Sequence, residues 1–261
     1  DKDCRRLFGT IPVISVSFGS CKGNHFEQAM RGVTLGLYNM YVQHEYLRES
    51  SRLNEEEKAE YRRIVASFSE QRTEYVEVSI QKLCELLCKH YGVFPIILMD
   101  EYDTPLLEAY TDGYWDETIN TFRQLFHTTF KENDFFYRAI ITGVTRISKN
   151  SLFSDLNNLE VDTVTCDAYS DCFGFTEQEV MDAFKCQDID TIRDVKAMYD
   201  GFTIGRHQDI YNPWSICNYM RQRELIGYWV NTSSNKLVGD IIRRHPVESK
   251  YEIERLMAGE K

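Results

Sequence analysis

Apolar positions along the chain repeat with two different periods. Short apolar or alternating runs predict strands at Ile11 to Phe18 (Ile-Pro-Val-Ile-Ser-Val-Ser-Phe), Val93 to Met99 and Tyr137 to Thr142. Pro12 is restricted to the beginning of its strand because it cannot donate to a ladder. Val161 to Cys166 is a more weakly patterned candidate for a last strand. Between the runs the period becomes helical. Asn24 is placed to cap a helix running through Tyr46, and Glu74 to His90 carries Ile80, Leu83, Cys84, Leu87 and Cys88 on one stripe. Trp115 to Lys131 puts Trp115, Ile119, Phe122, Phe126 and Phe130 at spacings of three and four, an aromatic stripe that reads as core. Arg48 to Arg63 is densely charged and reads as a solvated helix surface with its connecting turn.

The alternation of strand and helix predicts an α/β fold with a parallel sheet and crossover helices. From Asp167 the pattern changes. Thr176 and Glu179 form a capping box with Phe175 and Val180 as its hydrophobic staple. Tyr199 to Gly205 is turn-rich and is placed to open a hairpin, and Asn212-Pro213 reads as an N-cap followed by proline at the first helical position. The expected division is an α/β core over 1–166 and a mostly helical part over 167–261.

A net charge of -11 argues against a nucleic-acid-binding surface, which needs clustered Lys and Arg. No apolar run reaches the roughly 18 residues of a membrane span, and no secretory signal opens the chain. The expectation is a cytoplasmic protein with no membrane partner, its eight cysteines reduced. Cys84, Cys88 and His90 suggest a metal site, but a closed zinc site needs four ligands and the two cysteines already belong to an apolar stripe. The sequence starts at Asp1 without an initiator Met, so a fragment of a longer protein is expected.

Candidate chemistry concentrates at Pro95-Ile-Ile-Leu-Met-Asp100-Glu101-Tyr102-Asp103, an apolar run ending in three carboxylates. Open α/β sheets bind ligands outside the carboxyl ends of their strands. Crowded carboxylates repel one another unless a cation is present, and hard oxygen ligands suit Mg²⁺. If the sheet is parallel, the loop from Thr142 to Arg146 shares that edge and brings a hydroxyl and a guanidinium. Phosphoryl transfer uses such parts: a metal to screen charge, a residue to orient water, and a cation on the transferred group.

Seven ordered segments carry a wider resemblance: Asp100-Glu-Tyr-Asp-Thr-Pro-Leu, Ile141-Thr-Gly-Val-Thr-Arg-Ile-Ser, Leu156-Asn-Asn-Leu, Phe173-Gly-Phe-Thr-Glu, Tyr199-Asp-Gly-Phe, Tyr211-Asn-Pro-Trp-Ser and Tyr228-Trp-Val-Asn-Thr-Ser-Ser-Asn. Together they resemble the predicted AAA-ATPase-like family over roughly residues 8 to 243. These are bacterial proteins often carrying a C-terminal PD-(D/E)XK nuclease-like domain. The resemblance implies a P-loop NTPase core of the ASCE type, ATP with Mg²⁺ as nucleotide and metal, and a helical lid. Carried over by position, Asp100 holds Mg²⁺ through water, Glu101 polarises the attacking water, and Asp103 aids the metal site or fixes its loop. Thr142 takes the sensor position at the tip of the following strand, and Arg146 that of a γ-phosphate sensor. Tyr102, Pro105, Asn157, Asn158 and Trp214 read as structural.

Two departures qualify the resemblance. The family's first strand and its Gly-rich Walker A loop have no match here. Gly19-Ser-Cys-Lys-Gly23 follows the wrong strand and lacks P-loop spacing. Asp155 also stands where the family pattern has Gly. An alternative reading is a non-catalytic interaction module whose partner surface is built from Tyr211, Trp214, Tyr219, Tyr228 and Trp229. A metal-dependent phosphohydrolase or nuclease using the acidic tip directly is a weaker third reading, because the acids fall within one short run and two-metal sites draw ligands from several strands.

Overall fold

Three strands, β1 (Val13–Ser17), β2 (Ile96–Asp100) and β3 (Arg138–Ile141), form a parallel sheet in the order β1-β2-β3 in a computed structural model of the chain. The structure describes residues 2–145, 147, 152–153, 156, 158–187, 192–199 and 201–229. By its internal contacts the chain divides into two units, 1–158 and 159–261. That break falls a few residues before the composition change at Asp167.

In the first unit, α1 (Lys2–Leu7) precedes β1. Between β1 and β2 come α2 (Phe26–Val42), a 3₁₀ turn at Glu45–Glu49, α3 (Glu55–Ser69) and α4 (Ser79–Tyr91). Next, α5 (Thr104–Asp112) and α6 (Trp115–Phe130) link β2 to β3. Parallel strands require such crossovers, since a tight turn cannot return the chain to the same end of the sheet. The charged 48–63 stretch becomes the 3₁₀ turn and the start of α3, whose N-terminus is a full capping box of Asn54 and Glu57. Lys89 of α4 holds Glu57 and Glu85, each at 2.8 Å, tying the two helices at their surfaces. Two details differ from the sequence reading. The N-cap of α2 is His25, not Asn24, and α2 stops at Val42 because the chain tightens into the 3₁₀ turn.

The sheet is two-faced. Ile14, Val16, Ile97 and Met99 are buried with the inward stripe of α2, including Met30, Val33 and Leu37. Phe18 meets Phe122 of α6 edge-on at 5.4 Å, and Phe122 meets Phe126, so the stripe is core from Ile119 to Phe130, while Trp115 at its start is only half-buried. Burying side chains of this size contributes roughly 1.5–3 kcal/mol each. On the opposite face, Val13, Leu98 and Ile140 are 40%, 37% and 58% exposed. Purely parallel sheets are normally covered on both faces.

The second unit contains α7 (Glu177–Lys185), α8 (Ile192–Tyr199), the antiparallel hairpin β4 (Phe202–Ile204) and β5 (His207–Ile210), and α9 (Pro213–Gln222). Its core gathers Val180, Phe184, Val195, Tyr199, Tyr211, Ile216 and Tyr219. The Thr176–Glu179 capping box and the Asn212 cap form as the sequence predicts. Val161 to Cys166 is not a strand: it is an irregular segment ending in a turn. Thr163 bonds locally to Thr165, and the Val164 carbonyl accepts from Gly205 N–H, so local side-chain bonding replaces a ladder.

Candidate active site

Parallel register brings the ends of all three strands to one edge. Ser17 pairs with Asp100, and Thr142 follows directly after Ile141, the partner of Met99. The Asp100 carbonyl accepts from Phe18 N–H (3.0 Å), and Thr142 N–H donates to the Met99 carbonyl (2.9 Å). These bonds fix the tips before any side chain is considered.

Asp100 and Thr142 then meet through their side chains. The Thr142 hydroxyl donates to Asp100 Oδ1, which also accepts from Glu101 N–H at 3.0 Å. Both residues are exposed at the edge. Glu101 sits at φ 52°, in the left-handed region, where a non-glycine side chain is strained by roughly 1–2 kcal/mol. Its carboxylate is turned back over the end of β1. It accepts from the Thr104 hydroxyl at 3.3 Å and lies so close to Gly19 that a Cβ there would run into it. Gly19 is therefore part of the site's outline. That role depends on contact across the sheet, and no local motif announces it.

Asp103 takes a different position. It is fully buried, and its Oδ2 accepts from Thr145 N–H (2.6 Å) and from the Thr145 hydroxyl (2.9 Å), while Oδ1 has no hydrogen-bond partner among the described residues. Asp103 thus lies inside the loop instead of beside Asp100 on the exposed edge. Arg146, and with it Asp155 and Asn157, lies outside the described residues. None of Asp100, Glu101 and Asp103 forms an ion pair with a described residue.

The loop Gly19 to Gly23 has spent several of its amides internally. Gly19 N–H donates to Ser17 Oγ, Cys21 N–H to the Phe18 carbonyl and Lys22 N–H to the Ser20 carbonyl. A phosphate cradle needs such groups turned outward. Cys21 is buried, and burial pushes its thiol up to about 12. Cys84 is likewise buried and pushed up to about 12, and His90 bonds Ser50 at 2.7 Å.

Among the described residues no group of three or more His, Cys, Asp or Glu side chains is arranged to hold a metal ion. The donors at the edge, one outward carboxylate with a hydroxyl beside it, still suit Mg²⁺, which keeps several waters and takes few protein ligands alongside substrate phosphates. No described helix is long and apolar enough to cross a membrane.

Comparison with known proteins bears on the family of the chain. A family model described as predicted AAA-ATPase matches residues 9–153, more than half of the chain. An uncharacterized protein in the vnfD 5′ region of Azotobacter chroococcum mcd 1 is 32% identical over 150 residues, 56% of this chain. The chain spans only 28% of that relative's length. No solved structure matches. With its matched segment containing the whole three-stranded sheet and the acidic edge, the chain belongs to the predicted AAA-ATPase-like family.

Proposed function

We propose that this chain carries the hydrolytic half of an ATP site, with Asp100, Glu101 and Thr142 at its centre. The observation that carries the reading is the shared edge where the Thr142 hydroxyl meets the Asp100 carboxylate beside the strained Glu101. In this reading β2 is a Walker B strand, Thr142 is its neighbouring sensor, and Arg146 senses the γ-phosphate. Asp100 would hold Mg²⁺, and the metal, when bound, would screen the phosphate charge. Thr142 keeps the Asp100 carboxylate aimed outward. Glu101 accepts a proton from the water whose oxygen bonds to the γ-phosphorus, and ADP leaves with the electron pair of the broken bond.

The β- and γ-phosphates also require a backbone cradle and a lysine, which the Gly19 to Gly23 loop is not built to give. Among the described residues, the exposed sheet face and the unpaired edge of β3 leave room for a further strand and helix of an ASCE-type core. Such elements would carry the phosphate loop, and the second unit would serve as a helical lid. The test is ATP turnover by the full-length protein. Glu101→Gln is expected to lower kcat by about 10²- to 10⁴-fold while ATP still binds. Turnover unchanged by that substitution would remove Glu101 from the mechanism.

A second reading, a non-catalytic interaction module, draws on aromatic exposure in the second unit. Trp214 and Trp229 are 54% and 50% exposed, whereas Tyr211 and Tyr219 are core residues and cannot present a surface. Under that reading Mg·ATP leaves the melting temperature where it was. A genuine nucleotide site raises it by mass action.

A further inference from the structure

Two residues of the acidic segment point away from the exposed edge and into the neighbouring loop. The Tyr102 hydroxyl donates to the Thr145 carbonyl (2.9 Å) and accepts from Ile147 N–H (3.2 Å). Its ring packs against Phe126 and Phe153 at 6.0 and 5.5 Å. Asp103 Oδ2 takes both the amide and the hydroxyl of Thr145. Tyr102 N–H adds a bond to the Thr142 carbonyl at 3.2 Å. Gly143 permits this closeness: a Cβ there would lie 2.6 Å from Tyr102 Cε1 and 2.7 Å from Asp103 Oδ1. The loop after β3 is therefore held at Thr142, Thr145 and Ile147 by two consecutive residues of the loop after β2. In sequence, Arg146 stands between the last two anchors.

We infer that Tyr102 and Asp103 are positioning residues, forming a clasp that locks the loop after β3 onto the loop after β2 and sets Thr142 against Asp100. Asp103 then acts on the reaction without touching metal or nucleotide. The same spacing of carboxylates that suggests a shared metal site instead separates a ligand, Asp100, from a brace, Asp103. The effect on rate rests on the proposed ATP site, whereas the clasp itself exists without nucleotide. Misplacing a reacting group by about 1 Å costs about 10²-fold in rate.

Amide hydrogen exchange without nucleotide, on the wild-type chain and on Asp103→Asn, Gly143→Ala and Thr145→Val, tests the clasp directly. Asp103→Asn removes the charged acceptor. Exchange at Thr145 and Ile147 is expected to quicken about tenfold or more, with Ile97 to Met99 unchanged. Thr145→Val deletes only the hydroxyl bond and is read for a smaller change in the same direction should Asp103→Asn fail to fold. Unchanged exchange across all three variants overturns the clasp. In the full-length protein, Asp103→Asn and Gly143→Ala should each lower kcat about 10- to 100-fold. KM for ATP and the Mg²⁺ concentration for half-maximal rate should stay put. A raised Mg²⁺ requirement confined to Asp103→Asn overturns the positioning role in favour of a metal ligand, and quickened exchange with wild-type kcat also overturns it. If the wild-type protein does not hydrolyse ATP, the proposed function fails, and the exchange comparison still decides the clasp.

Discussion

Asp100 and Glu101 face solvent, whereas Tyr102 and Asp103, the next two residues, are buried. The first pair has spare bonding capacity at the sheet edge. The second pair is bonded to Thr145 and Ile147 inside the loop. Four adjacent side chains thus divide between an exposed sheet edge and a buried loop according to which way the chain turns after β2. The turn itself is the left-handed Glu101, which ends the strand and directs the following residues inward. A cluster of acids is not one site merely because its members are adjacent in sequence.

The largest expected contrast lies between the two aspartates. Asp103→Ala strips a buried acceptor from two donors and is expected to destabilise the fold by about 1–3 kcal/mol. Asp100→Ala, at the exposed edge, should stay within about 0.5 kcal/mol. Urea unfolding of both variants checks this, and equal losses would erase the distinction between the pairs. A smaller effect belongs to the turn. Glu101→Gly should cost no stability, because relief of the left-handed backbone offsets the added freedom of the unfolded chain. Glu101→Val, whose branched side chain tolerates that backbone least, should cost about 1 kcal/mol or more by the same measurement.

The smallest effect sets a baseline for any pH series on these variants. Burial holds the His44 imidazole below its ordinary value of 6.5, so the unfolded chain binds its proton more readily. Its contribution is complete above the unfolded value and is lost as pH falls through the folded one. Stability should decline below about pH 6.5 in the wild type, and the decline should flatten in His44→Gln, as read by melting temperature against pH.

Much of the fold was legible because periodicity is a local property. The Val-Ile-Ser-Val-Ser alternation of β1 announces a strand with one dry face, and the stripe of α6 announces its buried side. The apolar run of β2 misleads in one respect: Leu98 looks like core but lies on the open face, which only the pairing with Ser15 and Ile140 decides. Val161 to Cys166 fails as a strand because its threonines bond within the segment. At the candidate site, residue types pointed to Asp100 and Thr142, and the sheet brings them together. The inward turn of Asp103 and the close approaches at Gly19 and Gly143 were not legible, since each depends on atoms distant in sequence. Nothing in a glutamate's identity announces a left-handed backbone.

Calorimetric titration of Mg·ATP into the full-length protein, beside Asp100→Ala and Asp103→Asn, tests the central claim most directly. The account predicts binding to the wild type that weakens markedly in Asp100→Ala and is unaltered in Asp103→Asn. No heat of binding in the wild type, or equal weakening in both variants, would contradict it.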